Sequence, residues 1–593
     1  MTSLAQRVPA AEVTPPAHPG RDRRADLLML ATCLAGALYL TIGFWQDPNR
    51  VEVSHNKGDQ ALFEWLLAYA AHSVTHGTNP LWTTLLNAPI GVNLAVNTSM
   101  IVVGALVAPI TFTLGAPISF LVVLTANLVL SPYAWYHVLS RHVTRTRAAA
   151  VLGGLFCGFA PGIVSHANGH LNFTSQFLVP FILLYVVRLR EPGRAWRHGL
   201  ILGVLVAVEF SIAAELLFFV ALGCAVFLGS WALMRRAEAR AGAPAFLRGL
   251  GVTSGLVALL LSYPLYMQFA GPQRYHGIGF DQRVHSEDLA AFGAIPYLSE
   301  ARRLGVWVRL APNFTEETTF FGPLLLTLIL VCFVVLWRRP VIRALAVTAG
   351  VFAVLALGPR LNLGGHRYGI PLPYALLARL PVFDAALPAR FALMLIPMLG
   401  LLLALTLDRA LLLERRPRGI WLAAFAAALL PLVPLPIPAL ARTPVPHFFA
   451  AGTWRQYVHS GQTLVPIPPP SDLLPDGQRW QAATNFGFAI PAGFFLGPGP
   501  DGRSQIGPIP RPTYALLTDV ALKGTVPAIT DLDRQLARDD LAYWHGSVIV
   551  LSDGGQGNRW QQNRELLLSV ATQLFGPPQR VEDVWIWRVP TSG

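Results

Sequence analysis

The sequence predicts a mainly α fold: a polytopic transmembrane helix bundle of about 11 spans, with an extracytoplasmic C-terminal α/β domain. Three observations predict it. The chain is 53% hydrophobic and only 13% charged, against roughly 25% charged in soluble domains. Its apolar residues run in blocks long enough to cross a bilayer, which takes about 20 residues. Its arginines gather beside those blocks, where they act as topology signals.

The elements follow in order. Residues 1–25 are polar and Pro-rich and carry Arg7, Arg21, Arg23 and Arg24; they read as a disordered cytoplasmic tail. Spans are expected at 27–45, 118–139, 148–165, 174–189, 198–210, 212–234, 249–269, 319–337, 341–358, 389–408 and 419–437. The arginine clusters at 141–147, 188–197, 235–248, 338–343 and 409–418 then all fall on the cytoplasmic side. This requires the apolar block 99–115 to stay on the outer face as a re-entrant or interfacial helix. The transmembrane domain covers 26–440, with outer loops 46–117, 270–318 and 359–388. Residues 443–593 form the outer domain, with strands expected at Thr463–Ile467, Ser547–Leu551 and Val584–Val589 and helices near Asp531–Ala542 and Arg559–Phe575. The net charge of +13 is spent on these topology signals, so no nucleic-acid partner is implied. The four cysteines, Cys33, Cys157, Cys224 and Cys332, lie inside apolar blocks and build no disulfide framework.

Several polar residues in or beside the membrane are candidates for chemistry. Asp59 follows the first span in the run Lys57-Gly58-Asp59-Gln60, with Glu64 beyond it. A single carboxylate there can serve as a general base; it can equally cap the helix that follows. Residues five apart on a helix diverge by about 140°, so Asp59 and Glu64 need not act together. The run His166-Ala167-Asn168-Gly169-His170-Leu171-Asn172 places two histidines at i, i+4, the spacing of metal ligands. It also reads as a polar turn at the membrane surface, or as one contacting phosphate or sugar. Glu209 and Glu215 sit in an apolar block, where a mid-membrane carboxylate costs ~2.5–3.5 kcal/mol. They face either a wet cavity or a protonated, hydrogen-bonded niche. Arg274 and Tyr275 open loop 270–318. Arg390 lies on the outer side, suited to a lipid phosphate or to a rim ion pair with Asp384. Glu316 and Glu317, at the mouth of a span, read as interface markers. Trp480, Phe494 and Trp544 read as core residues, with stacking on a glycan as the other reading.

The acidic residue after the first span, the many spans, the large outer loops and the outer C-terminal domain together resemble the GT-C superfamily of membrane glycosyltransferases. The stretches Pro161 to Asn172 and Leu387-Pro388-Ala389-Arg390-Phe391 are similar to runs in bacterial members. The resemblance implies transfer of a sugar from a polyprenyl-phosphate donor to an outer glycan, lipid or protein acceptor, at the cell membrane. It implies Asp59 as the base, and Arg390, Arg274 and His170 as holders of the donor phosphate. Glu64, His166, Asn168, Asn172, Glu215 and Tyr275 are then substrate-binding candidates. A divalent cation, Mg or Mn, would be held by Asp59 and His170. Members of the superfamily often carry two adjacent acids after the first span; here the pair is Asp59-Gln60. The competing readings are a lipid or solute transporter, supported by Glu209 and Glu215, and a non-catalytic envelope assembly protein.

Overall fold

A computed structural model describes residues 22–459, 461–554 and 559–590. The expected N-terminal tail lies, for residues 1–21, outside the described residues. From Asp22 onward the chain is already helical: the Asp22 carboxylate accepts the Arg24 N–H at 3.0 Å and caps helix α1, Arg23–Trp45.

Helix α2 (Lys57–His76) is followed by two short helices, α3 (Ile101–Leu106) and α4 (Ala108–Leu114). These occupy the block 99–115, and neither is long enough to cross a bilayer. Helices α5 (Ala116–His142) and α6 (Arg147–Phe159) pack side by side. Their approach depends on small residues: a Cβ at Gly158 would lie 2.4 Å from the Pro132 ring of α5, and such contacts are how helices pack where the surroundings are apolar. Short helices α7 (Pro161–His166) and α8 (Leu171–Thr174) lead into α9 (Val179–Arg188). The span expected at 174–189 is therefore helical only at Thr174 and over Val179–Arg188.

Helix α10 (Ala195–Met234) counts 40 residues with a break at Ala213, φ −150°. Run straight, it would be about 60 Å long. Yet the Arg190 guanidinium, just before it, stands 6.0 Å from the Trp231 ring near its end. The chain thus doubles back at Ala213, and the arms on either side run antiparallel. Helix α11 (Arg236–Leu260) returns beside the first arm, where Thr253 Oγ1 donates to the Gly199 carbonyl at 3.0 Å. Then come α12 (Ser262–Phe269), α13 (Gly322–Leu336), α14 (Pro340–Ala356), α15 (Tyr374–Leu377), α16 (Leu395–Leu411) and α17 (Arg415–Leu429). Among the described residues, six helices are long and apolar enough to cross a membrane.

The two ends of the bundle differ. At one end the arginines at the α5–α6 turn meet the start of α1: Arg141 Nη2 lies 2.7 Å from Asp26 Oδ2, and Arg147 Nη1 2.5 Å from Asp22 Oδ2. Asp408 near the end of α16 accepts the Arg145 and Thr146 N–H groups there. At the other end lie α2, α7, α8 and the C-terminal region.

That region holds a four-stranded mixed sheet. Thr463–Ile467 runs parallel to Gly546–Ser552, which pairs antiparallel with Val584–Arg588, and Gln579–Val581 completes the edge. The alternation of side chains along a strand divides its work. Leu464, Val548, Val550, Val584 and Ile586 join the hydrophobic core of the helix bundle. Val465, Ile467, Ile549, Leu551 and Trp587 pack against Leu517, Ala537 and Leu567 of helices Pro512–Lys523, Asp531–Tyr543 and Arg564–Phe575. Trp480 and Trp544 are buried in these cores, as their reading as core residues expects, and not as the alternative of glycan stacking would need. A buried ionic network adds direction to the joint. Glu64 of α2 pairs with Arg442, and Glu52 with Arg479. Gln60 Nε2 donates to Glu64 at 2.7 Å, and Trp65 Nε1 donates to Gln481 at 2.8 Å. Glu64, predicted to bind substrate, is instead 3% exposed and committed to this joint.

Candidate active site

Asp59 lies in the first turn of α2, three residues after the helix's N-cap, Asn56. It is not the cap, because the helix begins before it. Its neighbour Gly58 packs directly on the C-terminal region: a Cβ there would lie 2.2 Å from the Asp472 carbonyl oxygen. The α2 N-terminus is therefore clamped from one side by residues 471–475. From the other side comes the turn after α7. Gly169 adopts φ +122°, and a Cβ at that position would come within 3.0 Å of the Asn56 carbonyl. Both the conformation and the contact select glycine.

This interlock brings the two histidines to Asp59. His170 Nε2 stands 3.2 Å from Asp59 Oδ2 and 3.5 Å from Asn56 Nδ2. His170 Nδ1 stands 2.9 Å from His166 Nδ1. The His170 N–H donates to the His166 carbonyl at 2.9 Å, so one helical turn persists across Gly169 and the i, i+4 spacing operates despite it. His166 Nε2 faces Glu316 Oε2 at 3.8 Å. Glu316 in turn accepts Arg390 Nε at 3.1 Å, while Arg390 Nη1 donates to Glu215 at 2.9 Å. The Arg390 guanidinium also stacks over Phe173, 4.7 Å from the ring centre. An unbroken line of charge and imidazole thus runs Asp59–His170–His166–Glu316–Arg390–Glu215. Its only well-hydrated member besides Glu215 is Asp59, whose side chain is 23% exposed.

Burial alone would raise the Asp59 carboxyl. The positive charge of His170, hydrogen bonds from His170 and Asn56, and the charge of Arg390 outweigh it, and the carboxyl sits below its ordinary value. The reverse holds for Asp472, where burial and the nearby charge of Asp59 push the carboxyl up. Two acids with opposed environments therefore share one place. Behind the line, burial drives Glu287 well above its ordinary value despite the hydroxyl of Thr319, which donates to it at 2.8 Å. Glu317 is raised to about 7, also by burial, while accepting the Tyr297 N–H at 2.7 Å.

One ligand atom each from His166, His170 and Glu316 lies within 4.8 Å of the others. His166 Nε2 and Glu316 Oε2 are buried and have no hydrogen-bond partner among the described residues. Buried polar atoms are almost always satisfied, so the chemistry of this pair fits a cation held between them. Asp59 is adjacent through His170.

The other predicted site residues separate. Asn168 and Asn172 are buried in the same turn, each with its side-chain oxygen unpartnered. Arg390 belongs to the site but is neutralised by Glu215 and Glu316 rather than by Asp384, so it is not a free phosphate holder. Arg274 donates to the Ala270 carbonyl and Tyr275 to the Val96 carbonyl, and Tyr275 feels the charge of Glu215. Glu209 is fully buried with both oxygens unpartnered among the described residues. Glu316 and Glu317 are not interface markers: they are 1% and 4% exposed, and Glu316 is central. Asp472 had no signal in the sequence. Two cavities of about 500 and 580 Å³ open elsewhere on this end, and neither is lined by Asp59.

The family model described as a domain of unknown function, DUF6311, matches residues 30–435. The chain belongs to the DUF6311 family. That match covers every residue of the line from Asp59 to Arg390 and stops before the C-terminal region. No curated protein matches the sequence. Among solved structures, the Archaeoglobus fulgidus oligosaccharyltransferase tethered with an acceptor peptide superimposes with a TM-score of 0.50 at 12% identity, covering 89% of this chain and 69% of that one. The same archaeal enzyme, AglB, in complex with an inhibitory peptide and a dolichol-phosphate gives 0.48 at 12% identity, with 89% and 69% covered. ArnT from Cupriavidus metallidurans in the apo state gives 0.42 at 10% identity, with 95% and 97% covered. This DUF6311 chain shares its fold with that archaeal oligosaccharyltransferase.

Proposed function

We propose that the protein transfers a sugar from a polyprenyl-phosphate donor to an acceptor hydroxyl at the outer face of the cell membrane. The reading rests on one observation above the rest: Asp59, at the bundle end remote from the arginine clusters of Arg141 and Arg147, stands 3.2 Å from His170 Nε2 and is partly open to solvent. With those arginines cytoplasmic, the eleven spans expected from the sequence would put Asp59, the histidine turn and the C-terminal region outside. No nucleotide sugar is available there, so the activated sugar must arrive on a lipid.

In this reading the acceptor hydroxyl meets Asp59 Oδ2. Its O–H bond breaks as its oxygen bonds the sugar's anomeric carbon; the proton passes to Asp59, and the bond from that carbon to the phosphate oxygen breaks with its electron pair. His170 and Asn56 fix the carboxylate's orientation, which is the entropic part of the catalysis. A divalent cation held by His166, His170 and Glu316, with Asp59 beside it, would supply the positive charge that the departing lipid phosphate needs. Two imidazoles in the set suit Mn²⁺ or Zn²⁺ better than Mg²⁺. Glu215 and Arg390 act behind it, holding Glu316 in place.

The test is direct: the purified protein in nanodiscs, given a radiolabelled polyprenyl-phosphate hexose or pentose and a membrane extract as acceptor source. Release of label from the lipid into a new product supports the reading. Vesicle uptake of labelled solute, with the donor lipid untouched, would replace it with transport.

A further inference from the structure

The second cavity, about 580 Å³, lies apart from Asp59 and has a different character. Four arginines line it, Arg283, Arg360, Arg379 and Arg503, with His276, against two carboxylates, Asp281 and Asp384. Arg283 is occupied, its Nη2 standing 2.9 Å from Asp281 Oδ2. Arg360, Arg379 and Arg503 form no side-chain ion pair or hydrogen bond among the described residues, whereas buried Arg390, Arg442 and Arg479 all do. Arg360, Arg379 and Arg503 are exposed at the lining of this cavity, so with Arg283 paired they leave it a positive surface open to an anion. Their planar donor geometry matches phosphate oxygens.

The walls of the cavity come from three distant stretches. Residues 276–283 are tied to the loop before α16, since Gln282 Nε2 donates to the Phe383 and Ala386 carbonyls at 3.1 and 3.2 Å. Arg503 arrives from the C-terminal region, where the Ser504 N–H donates to the Gly277 carbonyl at 3.1 Å. The remaining wall is segment 359–387, which joins the end of α14 to the turn before α16, a helix apolar enough to cross a membrane. That segment exposes Leu363, Tyr368, Ile370, Leu376 and Leu380, the leucine at 376 being 81% exposed. Basic side chains beside exposed apolar ones at a span's end are the signature of a lipid contact.

We propose that this cavity binds the phosphate headgroup of an anionic lipid, with the apolar side chains of segment 359–387 entering the acyl region beneath it. The site is separate from the Asp59 line and needs no turnover. It would hold an anionic lipid one loop away from Arg390.

The experiment uses the full-length protein in detergent, titrated with phosphatidylglycerol or phosphatidylcholine and read by native mass spectrometry. Phosphatidylglycerol is expected to bind at least about tenfold tighter. The triple variant Arg360→Gln/Arg379→Gln/Arg503→Gln is expected to lose that preference, and the matching triple lysine variant to keep most of it. Arg415→Gln/Arg416→Gln, at the opposite end of the bundle, is expected to change nothing. Equal binding of both lipids by the unaltered protein would overturn the proposal, as would a preference that survives the glutamine triple. Complete displacement of the lipid by millimolar inorganic phosphate would overturn the lipid assignment in favour of a free phosphate. Because no sugar transfer is measured, this result and that of the transferase test fail independently.

Discussion

The backbone of Gly58 rests against the carbonyl of Asp472, so closely that a side chain at Gly58 would fall 2.2 Å from that oxygen. The residue next to Gly58 is Asp59. The C-terminal region thus sets where the candidate base stands, through a contact that involves no charge.

Gly58→Ala tests this clamp. The added methyl must push residues 471–475 away from α2, at a cost of ~1–3 kcal/mol for overpacking. Asp59 shifts with it, so transfer should fall at least about tenfold while donor lipid is still bound. Activity and melting temperature, measured together, check it; unchanged activity would place Asp472 outside the site's support.

Arg442→Gln removes one partner of the buried Glu64 pair. An uncompensated buried charge costs ~3–5 kcal/mol. The variant should melt well below the parent, and Glu64→Gln should recover part of the loss when combined with it, since both charges are then gone. Thermal unfolding in detergent reads both. Glu64 acting on substrate would instead lower activity with stability unchanged.

The site's metal capacity is separable from its catalysis. His166→Asn and Glu316→Gln should each lower bound Mn²⁺ or Zn²⁺ by at least about tenfold, read by elemental analysis of the purified protein. A chelator should remove the same metal, and re-addition should restore it to the parent alone.

A pH dependence follows from Glu317, raised by burial from 4.5 to about 7. A carboxyl raised in the folded state binds its proton more tightly there than in the unfolded chain. The stability it contributes is complete below pH 4.5 and is lost as pH rises through about 7. At ~1.4 kcal/mol per pH unit this amounts to about 3 kcal/mol. Glu317→Gln should flatten the melting temperature over that window. Asp59, lowered, works in the opposite sense: its contribution is present above its unfolded value and disappears in more acid solution.

Much of this was legible from residue order. Long apolar blocks flanked by arginine announce helices, because the chain must satisfy its backbone internally in lipid. The block 198–234 was long for one span and short for two, so length alone left its turn undecided; the break falls at Ala213. The i, i+4 histidines were visible, although their meeting depended on Gly169 and on a backbone bond that spacing does not state. What lay hidden were long-range partners. Glu316 is 150 residues from His166 and lies in a run that looks like any polar span mouth. Arg442 and Arg479 reach Glu64 from 378 and 415 residues away, and nothing near Glu64 signals it. Asp472 sits in a Pro-rich loop whose only distinction is the glycine it touches on another element. Periodicity reports which face is buried, not which distant charge will be buried with it.

The account turns on Asp59 accepting a proton during sugar transfer. The measurement that tests it most directly is turnover of a labelled polyprenyl-phosphate sugar by Asp59→Asn beside the parent protein. Both should melt within a few degrees of each other and bind the donor lipid alike. The account predicts transfer reduced at least about 100-fold, the scale of a lost general base. Transfer at the parent rate by the asparagine variant would contradict it.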